Sequence, residues 1–261
     1  MLELPPFCIH LYFTFQNEIN DRELLDSYQG LLSEEEQRQQ QRFYFAKDQH
    51  RYLLTRVLTR TTLSKYSSIK PEDWKFTKNA YGRPEIENKD PFESPLSFNI
   101  SHTSDMIMLG VAQQTIGLDV ENVQIDRASL EIAHRYFSSR EVNDLNSLPA
   151  NQRHEHFFYY WTLKEAYIKA RGRGMSLPLR QFSFYFPEPR DIKITFDPRL
   201  NEKPEHWRFW LLKPTMNHVA AIGLKHIKEL CYRLEIKKIV PLYSDMPFEC
   251  TVFRQSQVKV A

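Results

Sequence analysis

Cysteine is scarce in this chain: Cys8, Cys231 and Cys250 are the three among 261 residues. The number is odd and no two stand at metal-ligand spacing. A disulfide framework or a zinc site is therefore not expected, and a reducing compartment fits. An excess of one charge is also lacking. The formal net charge of +2 supplies no broad field for holding nucleic acid. Long apolar runs are missing too. Phe7 to Phe15 is short, is interrupted by His10, Tyr12 and Thr14, and follows no basic segment, so neither a signal peptide nor a membrane span is expected. The one glycine-rich run, Arg171-Gly172-Arg173-Gly174, follows a helical pattern instead of opening one. It reads as a C-terminal cap and not as a nucleotide-binding loop. No Gly-x-Ser-x-Gly motif and no cysteine in a telling context offers a nucleophile. What is present, 41% apolar and 13% aromatic residues, is enough for a sizeable core. A soluble, cytoplasmic, monomeric protein is the expectation.

Alternation predicts a strand over Phe7–Phe15 with one buried face. Ser33 followed by Glu34, Glu35 and Glu36 predicts a helix start with a capping box. A helix is predicted from about Lys47 to Lys65, then a turn at Asn79–Pro84 and a loop at Pro91–Pro95. Met106–Val111 and Ile116–Val120, joined by Gln113-Gln114, read as a hairpin. Ser129–Phe137 reads as a helix, Ser138-Ser139-Arg140-Glu141 opens another, and Glu155–Arg171 is a long one. Strands follow at Phe182–Phe186, Ile192–Phe196, Trp207–Leu212 and His218–Leu224, then a turn at Tyr243–Pro247 and one terminal strand. The Ser33 block and the Ser138 block echo each other, each preceding aromatic residues and a long helix. That echo predicts an α+β fold of two similar halves, residues 1–114 and 115–261, with a cleft between them.

The chemistry concentrates in two segments. Asp119 and Glu121 are two apart on a predicted strand and share a face, while Gly117 leaves room for another group to approach. Two such carboxylates repel unless a positive charge stands between them, and a divalent ion is one candidate. Glu165 and Lys169 are four apart on a predicted helix, with Trp161 on the same face. An ordinary salt bridge is the plainer reading. A metal and a pyrophosphate are the functional one, with Lys164 reaching a phosphate from the side. Ser101-His102 and the turn residue Arg83 are candidate anion contacts.

These residues fall in ordered blocks: Arg42-Phe43-Tyr44 with Asp48, His50 and Arg51; Tyr81-Gly82-Arg83-Pro84; Phe98-Asn99-Ile100-Ser101-His102; Gly117-Leu118-Asp119-Val120-Glu121; and Trp161 to Ala170 with Gly172, Gly174, Leu177 and Pro178. In this order they resemble the 4'-phosphopantetheinyl transferases of the surfactin-synthetase-activating (Sfp) type, over roughly Leu32 to Phe186. The resemblance implies an intramolecular pseudo-dimer with coenzyme A in its cleft. It implies that Asp119, Glu121 and Glu165 surround Mg²⁺ (Mn²⁺ being the alternative), and that Glu165 and Lys169 are catalytic. Lys164 and Lys169 would face the pyrophosphate. Ser101, His102 and Arg83 would hold the 3'-phosphate end, with Arg42 and Arg51 standing in for lysines common in the family. The loop Asn122–Leu130 would receive an apo acyl or peptidyl carrier protein, whose serine takes the phosphopantetheine arm as 3',5'-ADP leaves. Two other readings stay open: a Mg²⁺-dependent nuclease, and a non-catalytic scaffold that binds coenzyme A or carriers.

Overall fold

The computed structural model describes residues 1–88, 95–124, 130–226 and 231–257. Its elements in chain order begin with β1 (Cys8–Phe15), α1 (Arg22–Gln29), α2 (Glu34–Gln41), α3 (Ala46–Leu63), β2 (Phe76–Lys78), β3 (Pro84–Ile86), β4 (Ser97–His102), β5 (Met106–Ala112) and β6 (Ile116–Asn122). There follow α4 (Leu130–Tyr136), α5 (Ser139–Ser147), α6 (Ala150–Arg171), β7 (Phe182–Tyr185), β8 (Lys193–Phe196), β9 (Trp207–Thr215), β10 (His218–Lys225), β11 (Arg233–Val240), β12 (Ser244–Pro247) and β13 (Thr251–Gln255). The chain is α+β. The expected loop at Pro91–Pro95 and the start of the helix expected from Ser129 fall largely outside the described residues, as does most of the loop Asn122–Leu130.

Two sheets organise the core: a five-stranded one ordered β12-β11-β1-β5-β4 and a four-stranded one ordered β13-β9-β10-β6. α3 packs on the first, with Leu53, Leu54, Val57 and Leu58 against Tyr12, Ile107, Leu109 and Val111. α6 packs on the second, with Leu163, Ala166 and Tyr167 against Phe209, Leu211, Val219 and Ala221. The remaining faces meet each other, Ile9, Leu11, Phe13 and Met108 against Leu118, Leu212, Ala220 and Ile222. The layers thus run helix, sheet, sheet, helix. β1 has apolar contacts on both sides, so it is buried on both faces, not on the single face its alternation suggests.

Two expectations about connectivity change. β5 and β6 do not form a hairpin: β5 pairs with β1 and β4, whereas β6 pairs with β10. The Gln113-Gln114 turn carries the chain from one sheet into the other. Alternation marks a strand but does not name its partner. The chain is also not divided cleanly at residue 114, because β11 returns to pair parallel with β1 and β12 pairs with β11. Tyr243–Pro247 accordingly ends in a strand instead of being only a turn.

The predicted capping box of Ser33 with Glu36 is present, and the helix start at Ser138 carries a second one, Ser138 with Glu141. Each N-terminal glutamate also reaches a cation on the long helix that follows. Glu36 pairs with Arg56 and Arg60 of α3, and Glu141 with Lys164 of α6.

Candidate active site

Between Phe157 and Ala170, α6 is buried at every position except Trp161, Glu165 and Lys169, which are half-buried. Spaced by four, they form one stripe on a helix otherwise enclosed by aromatic and aliphatic neighbours. Trp161 stacks on Phe157, fixing the upper end of the stripe. Gly172, in the left-handed region at φ 63°, ends the helix just beyond Lys169.

β6 lies directly against this helix. A Cβ added at Gly117 would stand 2.1 Å from the Ala166 carbonyl oxygen and 2.2 Å from the Ala170 nitrogen. Gly117 is therefore the point where strand and helix backbones touch, the close approach its position predicts. Its cross-strand partner on β10 is Gly223, which also borders Ala166. Asp119 and Glu121 continue the same face of β6, so their carboxylates emerge beside the open stripe of α6.

The resulting network is tight. Lys169 Nζ donates to Asp119 Oδ1 at 2.7 Å and to the Ser101 hydroxyl at 3.0 Å. Ser101 in turn donates to Asp119 Oδ1 at 3.0 Å and accepts from the Val120 backbone N–H at 3.3 Å. Asn99 Oδ1 accepts from the Leu118 N–H at 2.9 Å. Asn99 and Ser101 thus satisfy β6 backbone donors along the edge that faces β4, where no strand pairs with it. Asp119 Oδ2 is buried and has no hydrogen-bond partner. Burial pushes the Glu165 carboxyl above the usual carboxylate range, the nearby charge of Asp119 adds to the rise, and Lys169 opposes it. An orphaned carboxylate oxygen beside a second carboxyl of raised pKa is an environment short of positive charge. A hard divalent cation fits that donor set. The oxygens of Asp119, Glu121 and Glu165 do not all come within 4.8 Å of one another. The arrangement is an open acidic rim and not a closed cage, as suits an ion that shares its coordination with phosphate and water.

The other predicted contacts divide. His102 is exposed beside the cluster, and crowding by protein atoms, then the charges of Arg51 and Lys169, hold its imidazole below the usual range. Arg51, half-buried and paired with Asp48 at 2.7 Å, therefore shares a neighbourhood with His102 and Lys169. Arg42 is exposed at the end of α2 and contacts Gln39. Three expectations are corrected. Lys164 is 1% exposed, paired with Glu141 at 2.8 Å, and donates to the Leu179 and Phe182 carbonyls. It points into the core and reaches no phosphate. Arg83 donates through Nη1 to the Lys169 and Ala170 carbonyls and through Nη2 to those of Phe98 and Ile116. It caps the negative end of α6 and joins the turn to both sheets, so its Nη groups are not available to an anion. The Ser101 hydroxyl gives its one O–H to Asp119 Oδ1 and accepts from Lys169 and the Val120 N–H, so it has no donor left for an anion.

Asn79 and Asn99 lie in segments the sequence singles out, but sequence reasoning assigns neither a role. Asn79 accepts from the Tyr81 and Arg83 N–H groups and donates to the Gly172 carbonyl, so it shapes the turn beside the site. The available signal was a polar residue breaking an apolar run, as Asn99 does between Phe98 and Ile100. A cavity of about 280 Å³ opens between this turn and the α6 stripe, bounded by Tyr81, Gly82, Pro84, Ile100, Glu165 and Lys169, among others.

Two family models cover most of the chain. One described as the 4'-phosphopantetheinyl transferase superfamily matches residues 115–223, and one described as 4'-phosphopantetheinyl transferase, N-terminal, matches residues 21–115. The chain belongs to the 4'-phosphopantetheinyl transferase superfamily. Among its relatives is the 4'-phosphopantetheinyl transferase Sfp of Bacillus subtilis (strain 168), 32% identical over 184 residues, which are 70% of this chain and 80% of that protein. The 4'-phosphopantetheinyl transferase gsp of Aneurinibacillus migulanus is 34% identical over 172 residues, 66% of this chain and 69% of that one. The 4'-phosphopantetheinyl transferase HetI of Nostoc sp. is 32% identical over 205 residues, 77% of this chain and 81% of that one. The nuclease reading of Asp119 and Glu121 is dropped on these findings. Among the described residues no helix is long and apolar enough to cross a membrane.

Proposed function

We propose that this chain transfers the 4'-phosphopantetheine arm of coenzyme A to a serine hydroxyl of an apo acyl or peptidyl carrier protein, releasing 3',5'-ADP. The observation that carries the reading is the buried, unpartnered Asp119 Oδ2 beside the Glu165–Lys169 stripe. In the reaction a serine O–P bond forms, a pyrophosphate P–O bond breaks, and the serine proton must go to a base. Glu165 is that base, directly or through one water. Its raised carboxyl pKa strengthens it as a proton acceptor once ionised. Lys169 offsets charge on the departing diphosphate oxygen and keeps Asp119 in place. His102 and Arg51, with Arg42 nearer the rim, are the groups left for the 3'-phosphate end. Asp119, Glu121 and Glu165 would hold Mg²⁺, or Mn²⁺ in its place, which when bound supplies charge neutralisation to the phosphates. The cavity beside Tyr81 and Ile100 suits the nucleotide end of coenzyme A.

The matching pairs Ser33–Glu36 with Arg60 and Ser138–Glu141 with Lys164 support a chain built of two like halves, an intramolecular pseudo-dimer with the site at their junction. A monomer in the cytoplasm is part of this reading. Intact-protein mass spectrometry of an apo carrier incubated with coenzyme A, Mg²⁺ and this protein tests it. A gain of one phosphopantetheinyl group is expected. Coenzyme A binding without that gain would make the protein a scaffold instead.

A further inference from the structure

The outer end of the first sheet carries a cluster that phosphopantetheine transfer does not use. Cys8 and His10 are two apart on β1 and face the same side, and His10 stands opposite Glu235 on β11 in parallel register. One ligand atom from each of the three lies within 4.8 Å of the other two, and among the described residues no other group of His, Cys, Asp or Glu comes so close. Donors bound to one ion at about 2.0–2.3 Å have a mutual spacing of this order.

The histidine is oriented as a metal ligand would be. It is 3% exposed, and its Nδ1 shares a 2.6 Å hydrogen bond with the Tyr66 hydroxyl, itself 2.6 Å from the Tyr12 hydroxyl. Nε2 is buried without a hydrogen-bond partner, although Glu235 Oε2 lies 3.4 Å away. A simple His–Glu pair would close that gap into a hydrogen bond. An imidazole held through one nitrogen, with the other bare and turned toward a carboxylate, leaves room for an ion between them.

We propose that Cys8, His10 and Glu235 bind one Zn²⁺, with water as the fourth ligand. On binding, a Zn–S bond replaces the Cys8 S–H bond and the proton leaves to solvent. Thiolate and carboxylate then offset the ion's two charges, with Arg233 3.4 Å from the other Glu235 oxygen at the half-exposed rim. Sulfur, nitrogen and oxygen together suit zinc, whereas the all-oxygen rim at Asp119 suits a harder ion. The two sites therefore sort their metals by donor type. Zinc here ties β11, which returns from the far end of the chain, to β1. Cysteine spacing along the chain does not register ligands that a parallel strand pair brings together.

The test is metal titration of the full chain, stripped with a chelator and then given Zn²⁺ or Co²⁺ alone. One equivalent of Zn²⁺ is expected, raising the melting temperature. Co²⁺ should give a thiolate-to-cobalt charge-transfer band that survives in Cys231→Ser and Cys250→Ser and vanishes in Cys8→Ser. Glu235→Gln, at a half-buried position, keeps the test decisive if Cys8→Ser fails to fold, and should weaken zinc binding at least tenfold. Tyr66→Phe should weaken it about 10–100-fold through the lost hydrogen bond to His10. No tight zinc equivalent in the wild type, a thiolate band persisting without Cys8, or unchanged affinity in Glu235→Gln would overturn the proposal.

Discussion

Lys169 Nζ stands 2.7 Å from Asp119 Oδ1, joining the central helix to the acidic strand at the one stripe left open between Phe157 and Ala170. That pair is where the fold becomes chemistry. Lys169→Gln keeps a polar side chain but removes the charge that faces Asp119 and, in the proposed reaction, the departing phosphate. A fall in kcat/KM of about 10²–10³-fold is expected, the range for losing one preorganised electrostatic donor. Steady-state kinetics with carrier protein and coenzyme A measure it, with far-UV circular dichroism verifying the fold.

Glu165 links activity and stability in opposite directions. Its carboxyl is raised by burial and by Asp119, so between the unfolded carboxylate pKa and the folded value the native state binds more protons than the unfolded state. Stability then falls as pH rises through that window, and the ionised group is a net destabiliser above it. Glu165→Gln should melt higher than wild type at neutral pH, with the gap closing as pH drops below the usual carboxylate range. The same variant should lose transferase activity, and wild-type kcat/KM should decline on the acid side at a higher pH than an ordinary carboxylate would dictate. Melting curves across pH without ligand, set beside a pH–rate profile, measure both.

Gly117 and Gly223 face each other across β6 and β10, yet they should respond differently. An added methyl at 117 meets helix backbone at 2.1 Å, whereas at 223 the nearest atoms stand 3.1–3.3 Å away. Gly117→Ala must push β6 off α6, losing more than the roughly 1–3 kcal/mol typical of overpacking and displacing Asp119 as well. Gly223→Ala should fall at or below the low end of that range and keep most activity. Denaturant melts and kinetics of the two variants give the ordering.

Much of this was legible in the sequence. Both capping boxes follow from a serine with glutamate three residues on, and Gly117 announces a close approach because little else favours glycine inside a strand. The Asp119–Glu121 face and the Glu165–Lys169 stripe follow from periods of two and nearly four. What did not show are properties of partners. Nothing in Met106–Val120 says that its two strands join different sheets, nor does Arg233–Val240 reveal that it returns beside β1. Lys164 misled because α6 is enclosed on nearly all sides. With apolar residues on most faces of the helix's second half, a buried lysine and a cleft lysine look alike until Glu141, remote in sequence, is seen to meet one of them. Arg83 misled for a related reason, since its carbonyl partners come from three separate elements.

Lys164 gives a direct comparison of structural and ligand roles. Lys164→Met leaves Glu141 buried at 0% exposure without its cation, a loss of about 3–5 kcal/mol for breaking a buried pair. At temperatures where the variant stays folded, KM for coenzyme A and kcat should stay near wild type. A selective rise in KM on folded protein would return Lys164 to the ligand site.

The central claim is that β6 and α6 together present one metal-dependent catalytic centre. Its most direct test is the initial rate of carrier modification by Asp119→Asn across a Mg²⁺ titration, with circular dichroism to verify the fold. Folded protein whose rate stays collapsed even at saturating Mg²⁺ is the predicted result. A near-normal rate with ordinary Mg²⁺ dependence would contradict the account.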